Sequence, residues 1–122
     1  MSNLKGKYAK LRDDLKKAIA AGILAENNHI MEMRMLGRME DGGTCNFDAA
    51  SIKLPRWNTS MVKQAAKEAG TVCFDWTLFG SKRFVFEPKT RCQGTPRSLN
   101  AEAMTKVLRD AGYDAMDYSA MD

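Results

Sequence analysis

Along the first third of the chain, Leu4, Tyr8, Leu11, Leu15, Ile19 and Ile23 recur at three- and four-residue spacing with lysines and aspartates between them. That spacing predicts an amphipathic helix. Ala18, Ala20 and Ala21 favour it, while Gly6 and Gly22 weaken it. Its end is open. Glu26-Asn27-Asn28 is one stop, or the period resumes through Ile30, Met33 and Leu36 to Gly37 or Gly42-Gly43. So long a stripe is read as a self-association surface ahead of a cover for the chain's own sheet.

After Gly43 the pattern changes. Residues 44–54 end in a β-favouring stretch closed by Pro55. Asn58 or Thr59 then caps a helix that stops at Gly70. Val72, Phe74, Trp76 and Leu78 alternate on one face of a strand, and Gly80-Ser81 turns the chain into KRFVFE, making a hairpin. Pro88 ends that strand, and Ser98 or Asn100 caps a helix that stops at Gly112. The closing YDAMDYSAMD adds a last strand. The expected fold is therefore α+β: a long N-terminal helix (residues 1–40, an oligomerisation segment) and a βαββαβ, ferredoxin-like sheet unit (residues 41–122), in one compact domain.

Charge sharpens this outline. Residues 1–40 carry eight cations against five anions, residues 41–100 nine against five, and residues 101–122 two against five. The middle is the basic part. Taking the first and third strands as parallel neighbours, the loops after them leave one edge of the sheet, each at a helix N-terminus whose free N–H groups favour an anion. The first loop offers Arg56 and Trp57. The second offers Lys89, Thr90, Arg91, Gln93, Gly94, Thr95, Arg97 and Ser98, with no acid between Pro88 and Asn100. Arginine forks suit phosphate oxygens, and Trp57 offers a stacking face. The competing reading is a pair of solvated loops.

Other chemistry is weakly signalled. Cys45, Cys73 and Cys92 form no C-x-x-C pair, and His29 is the single histidine, so no metal site or disulfide framework is expected. Phe84 and Phe86 point to one face, a faint echo of RNA-recognition strands, although core packing is the stronger reading. Arg109 sits where helix C-termini commonly carry a cation. No nucleophile elbow, phosphate-binding P-loop or H-E-x-x-H helix is present. The N-terminus is too charged for a signal peptide and no run is long enough for a span, so a cytoplasmic, non-enzymatic binder is expected, without a membrane partner or cofactor.

The runs GTCNFD (Gly43–Asp48), LPRWN (Leu54–Asn58), GTPRS (Gly94–Ser98) and the closing AGYDA and YSAMD resemble the Thoeris anti-defence family of the first type. These phage and prophage proteins sequester a cyclic ADP-ribose immune signal, made in the host bacterial cell, without cleaving it. Some also hold cyclic oligonucleotides at a separate site. The resemblance implies a homo-oligomer, a dimer or higher and up to a hexamer, with the cyclic nucleotide held between protomers. It puts Arg56, Trp57, Gln93, Thr95 and Arg97 forward as ligand contacts, and Phe84 and Arg109 match in residue type; Arg91 stands as a ligand contact on the second loop's own chemistry. A basic nucleic-acid-binding module and an inhibitor that binds a host immune protein directly are the alternatives, with no stable nucleic-acid partner expected on the leading reading.

Overall fold

The structure, a computed structural model, describes residues 3–37, 46–78, 81–90 and 94–121. Helix α1 (Gly6–Met35) is followed by β1 (Asn46–Lys53), α2 (Thr59–Ala69), β2 (Cys73–Leu78), β3 (Ser81–Phe86), α3 (Thr95–Asp110) and β4 (Asp114–Met121). The four strands form one sheet in the order β2-β3-β1-β4, and every neighbouring pair is antiparallel. This is the α+β, split βαβ arrangement with a long helix in front. No helix among the described residues is long and apolar enough to cross a membrane.

Local chemistry accounts for most boundaries. The Asn58 side chain accepts a hydrogen bond from the Met61 amide at 3.0 Å and caps α2. Gly70 ends it at φ +97°, a left-handed conformation in which glycine has no Cβ penalty. Helix α3 starts earlier than the Ser98 or Asn100 cap expected from sequence. Gly94 is its N-cap and Pro96 lies in its first turn, where a missing N–H costs nothing. Asn100 is instead inside the helix and fully buried. Of the two ends open to α1, the longer one forms: the helix runs through Asn27-Asn28 to Met35.

All three helices lie on one face of the sheet. Leu11, Leu15, Ala18 and Ile19 of α1 share one core with Val62, Ala65 and Ala66 of α2, Met104 and Leu108 of α3, and Ala50, Ile52, Phe84 and Phe86 of the sheet. Helix α1 is thus part of the domain core. Successive strand residues face opposite ways, so Phe74, Trp76, Arg83, Val85, Ala49, Ser51, Met116 and Tyr118 fall on the other face. There Tyr118 reaches over the sheet to Phe74 and Trp76, with ring centroids 6.3 and 6.1 Å apart in edge-to-face geometry.

The Leu4–Ile23 stripe, expected to be a self-association surface ahead of a cover for the chain's own sheet, is that cover, and the expectation that joined the basic loops is overturned as well. Strand β1 is antiparallel to β3, with Ala50 opposite Phe86 and Lys53 opposite Arg83. Each helix crossover links strands that are parallel but not adjacent, with the intervening strand inserted between them. The loop after β1 and the loop after β3 therefore leave opposite ends of the sheet.

Candidate functional site

The end where β1 finishes gathers three segments: the first turns of α1, the β1–α2 loop, and the α3–β4 turn. They enclose a cleft of about 400 Å³ lined by Lys7, Lys10, Lys53, Leu54, Trp57, Ala111, Gly112, Tyr113 and Asp114. Small-ligand sites commonly start at roughly 300 Å³.

The walls are aromatic, and the charged lining is three lysines with one carboxylate, Asp114. Trp57 meets Tyr8 edge-on with centroids 5.3 Å apart, and Tyr113 at 6.5 Å. Lys7 Nζ lies 4.7 Å from the Trp57 ring centroid, and Lys10 Nζ lies 4.8 Å from that of Tyr113. Such contacts hold an ammonium over a ring face without neutralising it. The Tyr8 hydroxyl accepts from the Asn58 amide at 2.9 Å, which ties α1 to the loop carrying Trp57.

Two of the lining residues, Lys10 and Tyr113, share a buried carboxylate partner. Asp14 Oδ2 accepts from Lys10 Nζ and from the Tyr113 hydroxyl, both at 2.7 Å. Burial and the neighbouring Asp14 charge push the Tyr113 phenol well above its ordinary value, so it stays a neutral donor. Lys10 is thereby committed to Asp14. Lys7 and Lys53 make no ion pair among the described residues, and Lys7 Nζ rests over the Tyr8 and Trp57 rings. Arg56 is exposed beside Trp57 at φ +67°, the one non-glycine residue with positive φ among those described.

The residues expected from sequence divide among three places. Arg56, Trp57 and Arg109 fall at the cleft end, with Trp57 in the cleft wall. Arg109 Nε and Nη2 both donate to the Ala115 carbonyl, at 3.3 and 3.1 Å, so its guanidinium holds the start of β4. Thr95, exposed, and Arg97 lie at the opposite end, where Arg97 Nε donates to the Asp48 carbonyl at 3.1 Å. Arg91 and Gln93 lie outside the described residues. Phe84 is only 1% exposed and belongs to the core, so its ring presents no face to a ligand. Burial likewise pushes the Cys73 thiol up to about 12, leaving it neutral and un-nucleophilic near neutral pH.

The sequence reading missed Lys7, Lys10, Lys53 and Tyr113. Lys7 and Lys10 look like the solvated face of an amphipathic helix, and Lys53 like a strand's polar side. A usable signal was present: Lys7 and Lys10, three apart, flank Tyr8, and such spacing places both ammoniums on one helix face. At the other end, Glu26 accepts from the Thr90 hydroxyl and from Asn100 Nδ2, which also donates to the Lys89 carbonyl at 3.4 Å. No group of three or more metal-binding side chains occurs among the described residues.

Comparison of the chain with protein-family models, with curated proteins and with solved structures found no match in any of the three.

Proposed function

We propose that this chain is a non-catalytic binder that sequesters a small phosphate-bearing nucleotide in the cleft at the β1 end. The cyclic ADP-ribose class is the ligand, in keeping with the anti-defence sequences that the LPRWN and GTPRS runs resemble. One observation carries the reading. A cleft of about 400 Å³ joins two aromatic rings, Trp57 and Tyr113, to Lys7 and Lys53, neither of which forms an ion pair among the described residues. A base would stack against Trp57, the pyrophosphate would lie toward the lysines, and Asp114 would accept from ribose hydroxyls. Charge-assisted hydrogen bonds contribute about 1.5–3 kcal/mol each. A few of these plus ring stacking support submicromolar affinity after ordering costs.

The test is calorimetric titration with cyclic ADP-ribose isomers, followed by heat denaturation and chromatography of the released ligand. Tight binding with intact ligand recovered is expected. Absence of binding, or recovery of a linear product, would sink the proposal.

A second reading rests on the sheet's uncovered face, where Trp76 is 45% and Met116 46% exposed beside Phe74 and Tyr118. Aromatic rings on an open sheet stack single-stranded bases in several RNA-binding folds. Binding of single-stranded oligonucleotides that falls steeply with salt and is lost in Trp76→Ala would favour it. Flat titrations at low salt would remove it.

A further inference from the structure

Strand β4 begins at the cleft: Asp114, its first residue, lines the wall with Ala111, Gly112 and Tyr113 of the turn before it. Each of the strand's first three carbonyls is held by a side chain. The Asp114 carbonyl accepts from Arg83 Nη2 at 3.1 Å, that of Ala115 from Arg109, and that of Met116 from the Ser51 hydroxyl at 3.0 Å. Arg109 comes from α3, on the helix-covered face. Arg83 and Ser51 stand on the open face, and neither lines the cleft.

Arg83 is the unusual member of the three. It is buried, only 9% exposed, yet it makes no ion pair among the described residues. A guanidinium taken out of water without a carboxylate is costly to keep unless its donors are filled. Arg83 fills them with neutral oxygens. Nε donates to Ser51 Oγ at 3.1 Å, and Nη2 donates to the Ser51 carbonyl at 3.4 Å as well as to that of Asp114. To do so it crosses a strand. Sheet order places β1 between β3 and β4, so the side chain reaches over two strand spacings of about 4.8 Å each. The Ser51 hydroxyl accepts from Arg83 and gives its own hydrogen to Met116, which carries the tie to a second carbonyl of β4.

We propose that Arg83, working through Ser51, is a positioning residue for the cleft: it pins the start of β4 to the end of β1 and so fixes Asp114 opposite Lys53. The inference rests on the nucleotide-binding reading of the cleft. Lys53 and Asp114 are register partners at the last rung of the sheet, and both line the cleft. A terminal rung opens more readily than one inside a ladder. Opening this one would part the lysine from the carboxylate of the lining and let the turn at Gly112 swing. A planar guanidinium suits the task, because its Nε and Nη2 edge meets two strands in one rigid fork, which a lysine cannot do. A site whose parts are fixed before the ligand arrives loses less of its binding energy to ordering.

Hydrogen exchange of the free chain and calorimetry with cyclic ADP-ribose provide the test. The Gly112, Tyr113 and Ala115 amides are all hydrogen-bonded. Arg83→Met should speed their exchange about tenfold while the amides of α2 keep their protection. Affinity should fall about tenfold with an unchanged salt dependence, since no charge that faces the ligand is removed. Arg83→Lys, which keeps the charge and loses the fork, should behave as Arg83→Met does. Ser51→Ala, the milder variant, should move the same amides and the affinity in the same direction by about threefold. Unchanged exchange at 112–115, faster exchange throughout the sheet, or full affinity with a loosened turn would each overturn the proposal. So would recovery in Arg83→Lys together with a shallower salt dependence in Arg83→Met, which would make Arg83 a ligand contact. If the wild-type chain takes up no cyclic ADP-ribose, the nucleotide reading fails, and exchange at the turn alone decides the role of Arg83.

Discussion

The two ends of the sheet carry similar sequence and opposite chemistry. Each has a strand-to-helix loop with arginine or lysine after a proline, so each looks basic on paper. At the β1 end, lysines from α1 and from the end of β1 meet aromatic rings around open volume. At the β3 end, the polar side chains turn inward. Glu26 joins Thr90 and Asn100, and Arg97 is spent on the Asp48 carbonyl. Cation density in a loop thus says little about a site. What decides is whether carbonyls and carboxylates nearby consume the donors before a ligand can.

The widest separation between the two ends should come from removing their cations. Lys7→Ala with Lys53→Ala should weaken nucleotide binding about a hundredfold. That takes about 1.5 kcal/mol for each lost charge-assisted contact, the low end of the range because both side chains are exposed. Arg97→Ala should change affinity less than twofold. Calorimetry on the two variants decides it. The reverse pattern would move the site to the β3 end and restore the reading drawn from the loop's composition.

This contrast also marks what was legible in the sequence. Asn58 and Gly70 announced the ends of α2, and Gly80-Ser81 announced the hairpin, because caps and turns are settled by neighbours within a few residues. The α1 stripe was legible from its period for the same reason. Strand direction followed from these same elements and was misdrawn. A helix crossover makes β1 parallel to β2, the Gly80-Ser81 hairpin makes β2 antiparallel to β3, and β1 must therefore oppose β3. That single error merged two distant loops into one pocket. It also hid the cleft, whose Lys53 lies 43 positions beyond Lys10 and 46 beyond Lys7.

If the β3 end is structural, its buried cluster should fail on packing and not on charge. A Cβ placed on Gly22 would lie 2.0 Å from Asn100 Oδ1 and 3.0 Å from the Asn100 carbonyl oxygen. Asn100 is fully buried and cannot withdraw freely. Gly22→Ala should therefore destabilise by about 2 kcal/mol, an overpacking cost larger than the roughly 1 kcal/mol gained in helix propensity. Urea unfolding measures it. Cleft affinity, referred to the folded fraction, should stay unchanged. A neutral or stabilising result would mean that α1 and α3 are packed less closely than the contact at Gly22 implies.

At the cleft end a smaller cut probes the shared carboxylate. Tyr113→Phe removes the hydroxyl that donates to Asp14 at 2.7 Å and leaves the Lys10 contact in place. Loss of a hydrogen bond to a carboxylate predicts about 1.5 kcal/mol of destabilisation. The remaining ring should still stack, so affinity should fall only modestly. If stability is untouched and binding collapses, Tyr113 contacts ligand directly, and the cleft is wetter beside Tyr113 than the packing suggests.

The smallest effect separates strain from use. Arg56 holds φ +67°, a left-handed backbone that costs an L-residue with a Cβ about 1–2 kcal/mol. Arg56→Gly removes that cost but adds about 0.5–1 kcal/mol of unfolded-state entropy. The net should be a stabilisation of about 0.5 kcal/mol, seen as a slightly higher thermal midpoint. Were Arg56 only an exposed loop cation, affinity would follow stability or stay flat. A variant that melts later yet binds more weakly would show that the strain is kept to hold this guanidinium at the rim beside Trp57. The cleft's charge would then extend beyond the lysines that line it, and the β1 loop would be a functional arm of the site as well as a cap on α2.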